Sequence, residues 1–380
     1  MVLLIGGGLL MHSFLKLTGV DPGYESARVL TFQVSLPVDR YSNARLQAFA
    51  DDVLERLRAP PGVEAAAYAN QVPTVQLRDT AGGLWRTPDA NRTASPDGGD
   101  ARLVSRDYFR TLGIRIIQGR AFDERDGAGQ ARAVLINQAL ARREFSGENP
   151  VGRPVYIGRD TASWQIIGVV DNVREFALDR EPEPQFFVDL RQWPQPGLLF
   201  PIGAYYVVRT DRSFDPLIDA VRSVVRRLDR QAALFNVAPM EQLVATAIAP
   251  QRLYAVLVAV FAAVGAVLAV IGIYGVMAYA VTERTREIGI RMALGAARGE
   301  VLTLVLRQSL ELTMVGVGIG IIGAAAVSRY LEGMLFGLTP LDPGTFAAAA
   351  LLFMAIAMLA CYVPARRAAS VDPSVTLRAE

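Results

Sequence analysis

The chain reads as an α-helical membrane protein that carries one large α+β domain in water, and three observations predict that fold class. Hydrophobic residues make up 52% of the 380, with a mean hydropathy of +0.27, yet 20% are charged, so the charges have to be segregated from the apolar sequence. They are: a mostly polar block runs from about Asp21 to Arg252, and apolar runs fill the last third. Two of those runs, Leu253 to Val281 and Leu302 to Val327, are each long enough as helices to cross a hydrocarbon core of about 30 Å.

Taken in order, Met1 to Leu15 is apolar but falls short of the roughly 20 residues a span needs. It is read as the second half of a first transmembrane helix over residues 1–18, truncated at its start. No basic region precedes it and no small-residue cleavage pattern follows it, which argues against a secretory signal. Gly6-Gly7-Gly8 lacks the strand and polar flanks of a phosphate loop, so close helix packing is the expected role.

The polar block, residues 19–251, opens with Arg28 to Leu36, whose alternation suits a half-buried strand. Ser42 to Arg58 then places Leu46, Phe49, Ala50, Val53, Leu54 and Leu57 on one helical face, and Pro60-Pro61-Gly62 stops it. Val63 to Tyr68 returns as a strand. The same β-α-β pattern recurs with Ala204 to Arg209, Asp215 to Leu228 and Ala233 to Val237. Two such units predict a split β-α-β sandwich of ferredoxin-like type over residues 24–71 and 202–240, interrupted by an inserted β-rich region, 72–201. Within the insert, Val75 to Asp100 has loop composition. Short strands are expected at Ala101–Val104, Ile114–Gln118, Val134–Asn137, Pro154–Ile157, Gln165–Asp171 and Gln185–Leu190, with helices near Ser105–Leu112 and Gln138–Phe145. Asp123, Glu124, Asp126 and Asp171 invite a cation site. The interleaved Arg120 and Arg125, and a spacing unlike an EF-hand, favour a solvated turn.

Pro239 to Ala249 is expected as a short helix that Pro250 breaks before the next span. The run from Leu253 to Val281 would be about 43 Å long, more than the membrane needs, so it tilts or projects as a stalk. The spans are therefore placed at 252–281, 302–327 and 346–363, with a return loop over Ser328 to Asp342. Arg307 and Glu311 are set to pair at i, i+4 near the interface. Gly316 and Gly320 form a GxxxG suited to close helix packing.

The link between the second and third spans, Thr282 to Glu300, organises the rest. Its charges are Glu283, Arg284, Arg286, Glu287, Arg291, Arg298 and Glu300, and the excess of Arg in so short a connection places it in the cytoplasm. Glu283, Glu287 and Arg291 share one helical face, Ile288, Met292 and Leu294 lie on or near another, and Gly295 can end the turn. Amphipathicity alone leaves lipid anchoring and protein docking equally open. With four spans, both termini and the 364–380 tail, including Arg366-Arg367, lie inside, and the polar block faces a periplasm.

Several function classes fall away. Lys16 is the only lysine, so no GxxxxGK[ST] phosphate loop exists for ATP hydrolysis by this chain. Single residues of Cys361 and His12, both in or beside apolar runs, leave no disulfide, thiolate cluster, His triad or zinc site, and no cofactor or catalytic residue is expected. A net charge of +2 without a basic stripe gives no nucleic-acid footprint.

The run Glu283-Arg284-Thr285-Arg286-Glu287-Ile288-Gly289-Ile290-Arg291-Met292-Ala293-Leu294-Gly295-Ala296 resembles the coupling-helix segment of FtsX/MacB-type ABC transporter permeases. Pro364-Ala365-Arg366-Arg367-Ala368 with Val371-Asp372-Pro373 resembles that family's ending, and Val20-Asp21-Pro22-Gly23-Tyr24 its segment after the first span. The chain is similar to one half of the large duplicated permeases called acidobacterial duplicated orphan permeases. The resemblance implies a MacB-like periplasmic core with a porter-like subdomain. It also implies a coupling helix over 282–300 in which Glu283, Arg284, Arg286, Glu287, Ile288, Gly289, Arg291, Met292, Leu294 and Gly295 meet a separate cytoplasmic ATPase. Further expectations are a second permease half or a homodimer, a periplasmic adaptor, and a multi-pass place in a bacterial inner membrane. The implied activity is efflux or export by mechanotransmission, and the alternative is FtsX-like signalling to an extracytoplasmic partner without transport.

Overall fold

The computed structural model describes residues 1–36, 41–74, 83–89, 98–158, 160–175, 178–193, 204–283 and 298–368. Two compact units result, Met1–Val20 with Ala249–Glu380, and Asp21–Ile248.

The second unit is a mixed sheet of eleven described strands: β1 Val29–Ser35, β2 Val63–Ala69, β3 Leu84–Trp85, β4 Asp100–Val104, β5 Ile116–Gly119, β6 Ala133–Asn137, β7 Pro154–Ile157, β8 Trp164–Val170, β9 Gln185–Asp189, β10 Ala204–Thr210 and β11 Ala233–Pro239. The order is β11-β1-β10-β2-β4-β9-β6-β8-β7-β3, with β5 on β8. Along β11-β1-β10-β2 every pairing is antiparallel, and the rings of Phe32 and Tyr206 stack at 5.0 Å across β1 and β10. Helices α2 (Asn43–Arg58) and α5 (Phe214–Leu228) cover one face, burying Leu46, Phe49, Val53 and Leu57 with Val221 and Val225 against Leu30, Phe32 and Val34. Ser42 caps α2 by accepting the Arg45 N–H. The opposite face of β1 is also covered, so Val29, Thr31 and Gln33 are buried too. The half-buried alternation expected for this strand therefore gives way to burial on both faces.

A single residue pair, Ala69 with Val104, joins this part of the sheet to the rest. There β4 runs parallel to β9 and β6 parallel to β8, around a second core of Tyr108, Phe109, Phe122, Leu135 and Phe187. Short helices α3 (Tyr108–Leu112) and α4 (Gln138–Phe145) pack beside it. Two expectations need correction here. Leu84–Trp85, in the stretch read as loop, forms β3 on the edge of β7, with Leu84 wholly buried; two residues are too few to show a period. Asp126, read as solvated, is 2% exposed and takes a two-pronged ion pair from Arg120 at 2.5 and 2.9 Å, closing a capping box with Asp123. Within the turn, Asp123 and Asp126 pair with Arg120 and Arg125.

Asn137 ends β6 and begins α4. Its side chain accepts the Leu140 N–H at 2.9 Å and the Gln185 N–H at 3.0 Å, and donates to the Glu183 carbonyl at 2.7 Å, all from a fully buried position. Asn137→Ala orphans these groups together, and a loss of about 2 kcal/mol in unfolding free energy is expected by denaturant titration of the purified chain.

The polar unit closes with α6 (Met240–Ala247), which stops at Ile248, and in the other unit α7 (Ala249–Glu283) starts anew with Pro250 in its first turn, where no N–H is needed. It is followed by α8 (Arg298–Ser328), a 3₁₀ turn Arg329–Met334 and α9 (Pro343–Ala368). Three described helices are long and apolar enough to cross a membrane, Ala249–Glu283, Thr313–Gly333 and Pro343–Arg366. Helix α1 (Val2–Thr18), 17 residues or about 26 Å, is shorter. It packs among the other three. Ile5 and Leu9 are buried with Ala324 and Ala349, and a Cβ on Gly8 would stand 2.9 Å from Thr345. On α7, Val260, Phe261, Val264, Leu268 and Ile271 stay exposed, as a lipid-facing helix requires. The last helix does not end at Val363 as expected. It continues through Pro364 to Ala368, because Cys361 and Ala365 are buried against Met277 of α7 and that packing offsets the hydrogen bond Pro364 cannot give.

Candidate functional site

Residues 284–297 lie outside the described residues, so Arg284, Arg286, Glu287, Ile288, Gly289, Arg291, Met292, Leu294 and Gly295 are placed by sequence only. The helices that enter and leave this segment are described. At the end of α7, Thr282 donates to the Ala278 carbonyl at 2.8 Å and the Tyr279 hydroxyl reaches Glu283 at 3.5 Å. Ile273, Met277 and Val281 on the same stretch pack with Cys361 and Ala365 of α9. At the start of α8, Thr303 donates to the Gly299 carbonyl at 2.8 Å. One turn on, Arg307 and Glu311 pair at 3.5 Å, both largely exposed, so the pair adds well under about 1 kcal/mol. Helix α7 spans 35 residues without a break, about 52 Å.

The two glycines of the GxxxG differ. A Cβ on Gly320 would meet the Met1 side chain at 2.5 Å, so the residue that precedes α1 lies close against α8 there. Around Gly316 nothing lies within 4 Å of that position. The close contact that glycine permits is made at one of the two.

In the polar unit the conspicuous chemistry is buried and ionic, and the sequence reading missed it. Arg102, on β4, is fully buried between Asp100 and Glu175, each at 2.7 Å. Burial alone would lower its pKa, but the Glu175 and Asp100 carboxylates overcome that and raise it. The Tyr24 and Tyr108 hydroxyls beside it are pushed up by burial, with Glu175 adding to both. A second group gathers at Asp51, Tyr68, Asp189 and Arg191. Burial raises the Asp51 carboxyl from its ordinary value, and Arg191 opposes it. Asp189, wholly buried, is held by Arg191 at 2.6 Å. A third contact joins Arg209 to Glu25 at 2.8 Å. Arg102, Arg191 and Arg209 each meet a carboxylate within the fold, which is the pattern of structural ion pairs. Among the described residues no group of three or more His, Cys, Asp or Glu is placed to hold a metal. The only sequence signal for these pairs was Arg102 at the centre of a predicted strand.

An aqueous mixed-sheet domain that interrupts the chain between a first apolar helix and three membrane-length helices defines a class, the integral membrane protein with one large domain outside the bilayer. The sequence profile of the MacB-like periplasmic core domain matches residues 17–228, and that of the FtsX-like permease C-terminal domain matches residues 259–373. The chain belongs to the MacB/FtsX-type family of ABC transporter permeases. The macrolide export ATP-binding/permease protein MacB of Escherichia coli is 28% identical over 352 residues, which cover 88% of this chain and 51% of that protein. The uncharacterized ABC transporter permease YknZ of Bacillus subtilis is 29% identical over 72% of this chain and 68% of its own length. The pyoverdine export ATP-binding/permease protein PvdT of Pseudomonas aeruginosa is 28% identical over 72% and 41%. This chain thus spans about half the length of the MacB relatives it matches. Among solved structures, the periplasmic region of MacB from Actinobacillus actinomycetemcomitans aligns over 59% of this chain and 94% of its own, at 14% identity and a TM-score of 0.39.

Proposed function

We propose that the chain is the membrane subunit of a MacB/FtsX-type ABC transporter, coupling ATP hydrolysis in a separate cytoplasmic ATPase to motion of the polar domain in the direction of export. The observation that carries this reading is α7. It runs as one unbroken helix from Ala249, the residue after the polar unit ends, to Glu283, the first charge of the segment that resembles the coupling helix. Such a helix can pass displacement along its axis with little loss, because its hydrogen-bonded backbone is stiff over this length. The export names of MacB and PvdT favour transport over FtsX-like signalling.

In this reading α1 is a fourth span, both termini and residues 282–300 are cytoplasmic, and the protein is multi-pass in a bacterial inner membrane. Residues 24–71 and 202–240 form the porter-like part of the domain and 72–201 the insert. A second permease half or a second copy completes the transmembrane unit, and a periplasmic adaptor receives the substrate. The test is co-purification of the full chain with candidate ABC ATPases. Wild type should retain an ATPase, and Glu287→Arg or Arg291→Glu should release it, since a charge reversal at a docked face replaces attraction by repulsion. If no ATPase is retained, or both variants hold it as well as wild type, the segment is a lipid-facing helix and the coupling reading fails.

A further inference from the structure

We propose that the polar unit holds a binding site for a compact, uncharged, partly apolar small molecule, in the cavity between the edge of β11 and α6. The cavity is about 330 Å³, at the small end of the range for ligand sites. Its apolar wall is Val237, Ala238, Leu243 and Ala247, and hydroxyls and amides of Thr74, Tyr205, Asn236, Gln242 and Thr246 complete it. Among the described residues that line it there is no carboxylate, ammonium or guanidinium. That selects against ions, which would have to give up hydration without a counter-charge, and for neutral hydroxyl, amide or ester groups, which both donate and accept.

Two features mark this cavity as built. Among the described residues, four outside glycine have positive φ, and two of them, Thr74 at 75° and Asn236 at 50°, line it. For Thr, branched at Cβ, that backbone is costly, and such strain is kept where a local shape matters. Asn236 belongs to a bulge in which Asn236 and Val237 oppose Phe32 alone, and its amide is fixed by the Gln33 side chain at 2.6 Å. The second feature is polar. The Thr74 Oγ1 is enclosed yet has no hydrogen-bond partner among the described residues, an unmet demand that a ligand's polar group can satisfy. The site stands whether or not an ATPase docks on the far segment, because every wall residue lies in the polar unit.

The experiment uses the full chain in nanodiscs with Cys361→Ala, so that a cysteine introduced by Thr246→Cys is the sole thiol. It is equilibrated with the disulfide of N-(2-mercaptoethyl)benzamide, or with cystamine or dithiodipropionate, under rising 2-mercaptoethanol, and adducts are read by intact mass. Ser223→Cys, on the exposed side of α5, is the reference. The neutral benzamide adduct at position 246 should withstand on the order of tenfold more reductant than at 223, the charged fragments should gain nothing, and Ala247→Trp should abolish the difference by filling the cavity. Gln242→Cys repeats the measurement from another wall. Equal resistance at positions 246, 242 and 223, preference for a charged fragment, or a gain that survives Ala247→Trp overturns the proposal.

Discussion

Arg102→Met is expected to cost the polar unit about 3–5 kcal/mol, enough to leave much of the chain unfolded there at ordinary temperature. Met keeps most of the volume, so the effect isolates charge. Wild-type Arg102 is wholly buried, with Nε on Glu175 and Nη2 on Asp100 at 2.7 Å each and Nη1 donating to the Ala101 carbonyl at 2.9 Å. Without the guanidinium, two carboxylates face each other away from water and one has to take up a proton or open the structure. The damage falls at a narrow place. Strand β4 carries Arg102 and also makes the one residue pair that joins the two parts of the sheet. Trp85, Trp164 and Trp193 are the only tryptophans and all lie in this unit, so intrinsic fluorescence reads its unfolding without interference from the helices. Asp100→Asn and Glu175→Gln added to Arg102→Met should return a large part of the loss, because removing a whole ionic group is far cheaper than removing one member. A loss under about 1 kcal/mol for the single variant would mean the group behaves like a surface pair and the burial argument is wrong.

How much was legible in the sequence depended on whether the signal was local. Leu46, Phe49, Val53 and Leu57 repeat at helical spacing, so α2 and its buried face could be read within a residue or two of the observed Asn43–Arg58. The same holds for α5 and for the long apolar helices, whose ends moved by a few residues, most at α9, where Pro364 is carried inside. Pairings between distant segments carried no such signal. Nothing in Asp100–Val104 says that Gln185–Asp189 will lie parallel to it, and nothing at Arg102 names Glu175, 73 positions away. The strand β1 could be seen, but not that its second face would be covered as well. For the coupling segment, physics alone left lipid and protein equally open, and only the long motif pointed to an ATPase. The cavity at Thr74 and Asn236 was invisible, because its signature is a backbone angle on residues that usually do without it.

Gly23→Ala is expected to cost about 3 kcal/mol, for a reason that belongs to the backbone and not to helix or strand propensity. Val20-Asp21-Pro22-Gly23-Tyr24 leads from α1 into the polar unit, and Gly23 sits there at φ +81°. A Cβ at that position would lie 1.9 Å from the Asn172 carbonyl oxygen, a main-chain atom that no rotamer change can move. The approach is held on both sides. The Pro22 carbonyl accepts the Arg174 N–H at 3.0 Å, Asp21 accepts the Gly23 N–H at 2.9 Å, and Tyr24 is buried with Val173 in the second core. Alanine therefore meets two costs, the left-handed backbone and a displacement of the 172–174 chain. Gly129→Ala separates them. Its φ is +76°, nearly the same, and nothing lies within 4 Å of its Cβ position, so it carries the backbone cost alone, about 1–2 kcal/mol. Denaturant unfolding followed by tryptophan fluorescence should find Gly23→Ala the more damaging by at least 1 kcal/mol, with an unchanged slope. Equal losses would mean that the chain at Asn172 yields freely. Residues 21–24 would then be loosely held at the edge of the polar unit and not fixed there as the carbonyl contact and its flanking hydrogen bonds describe.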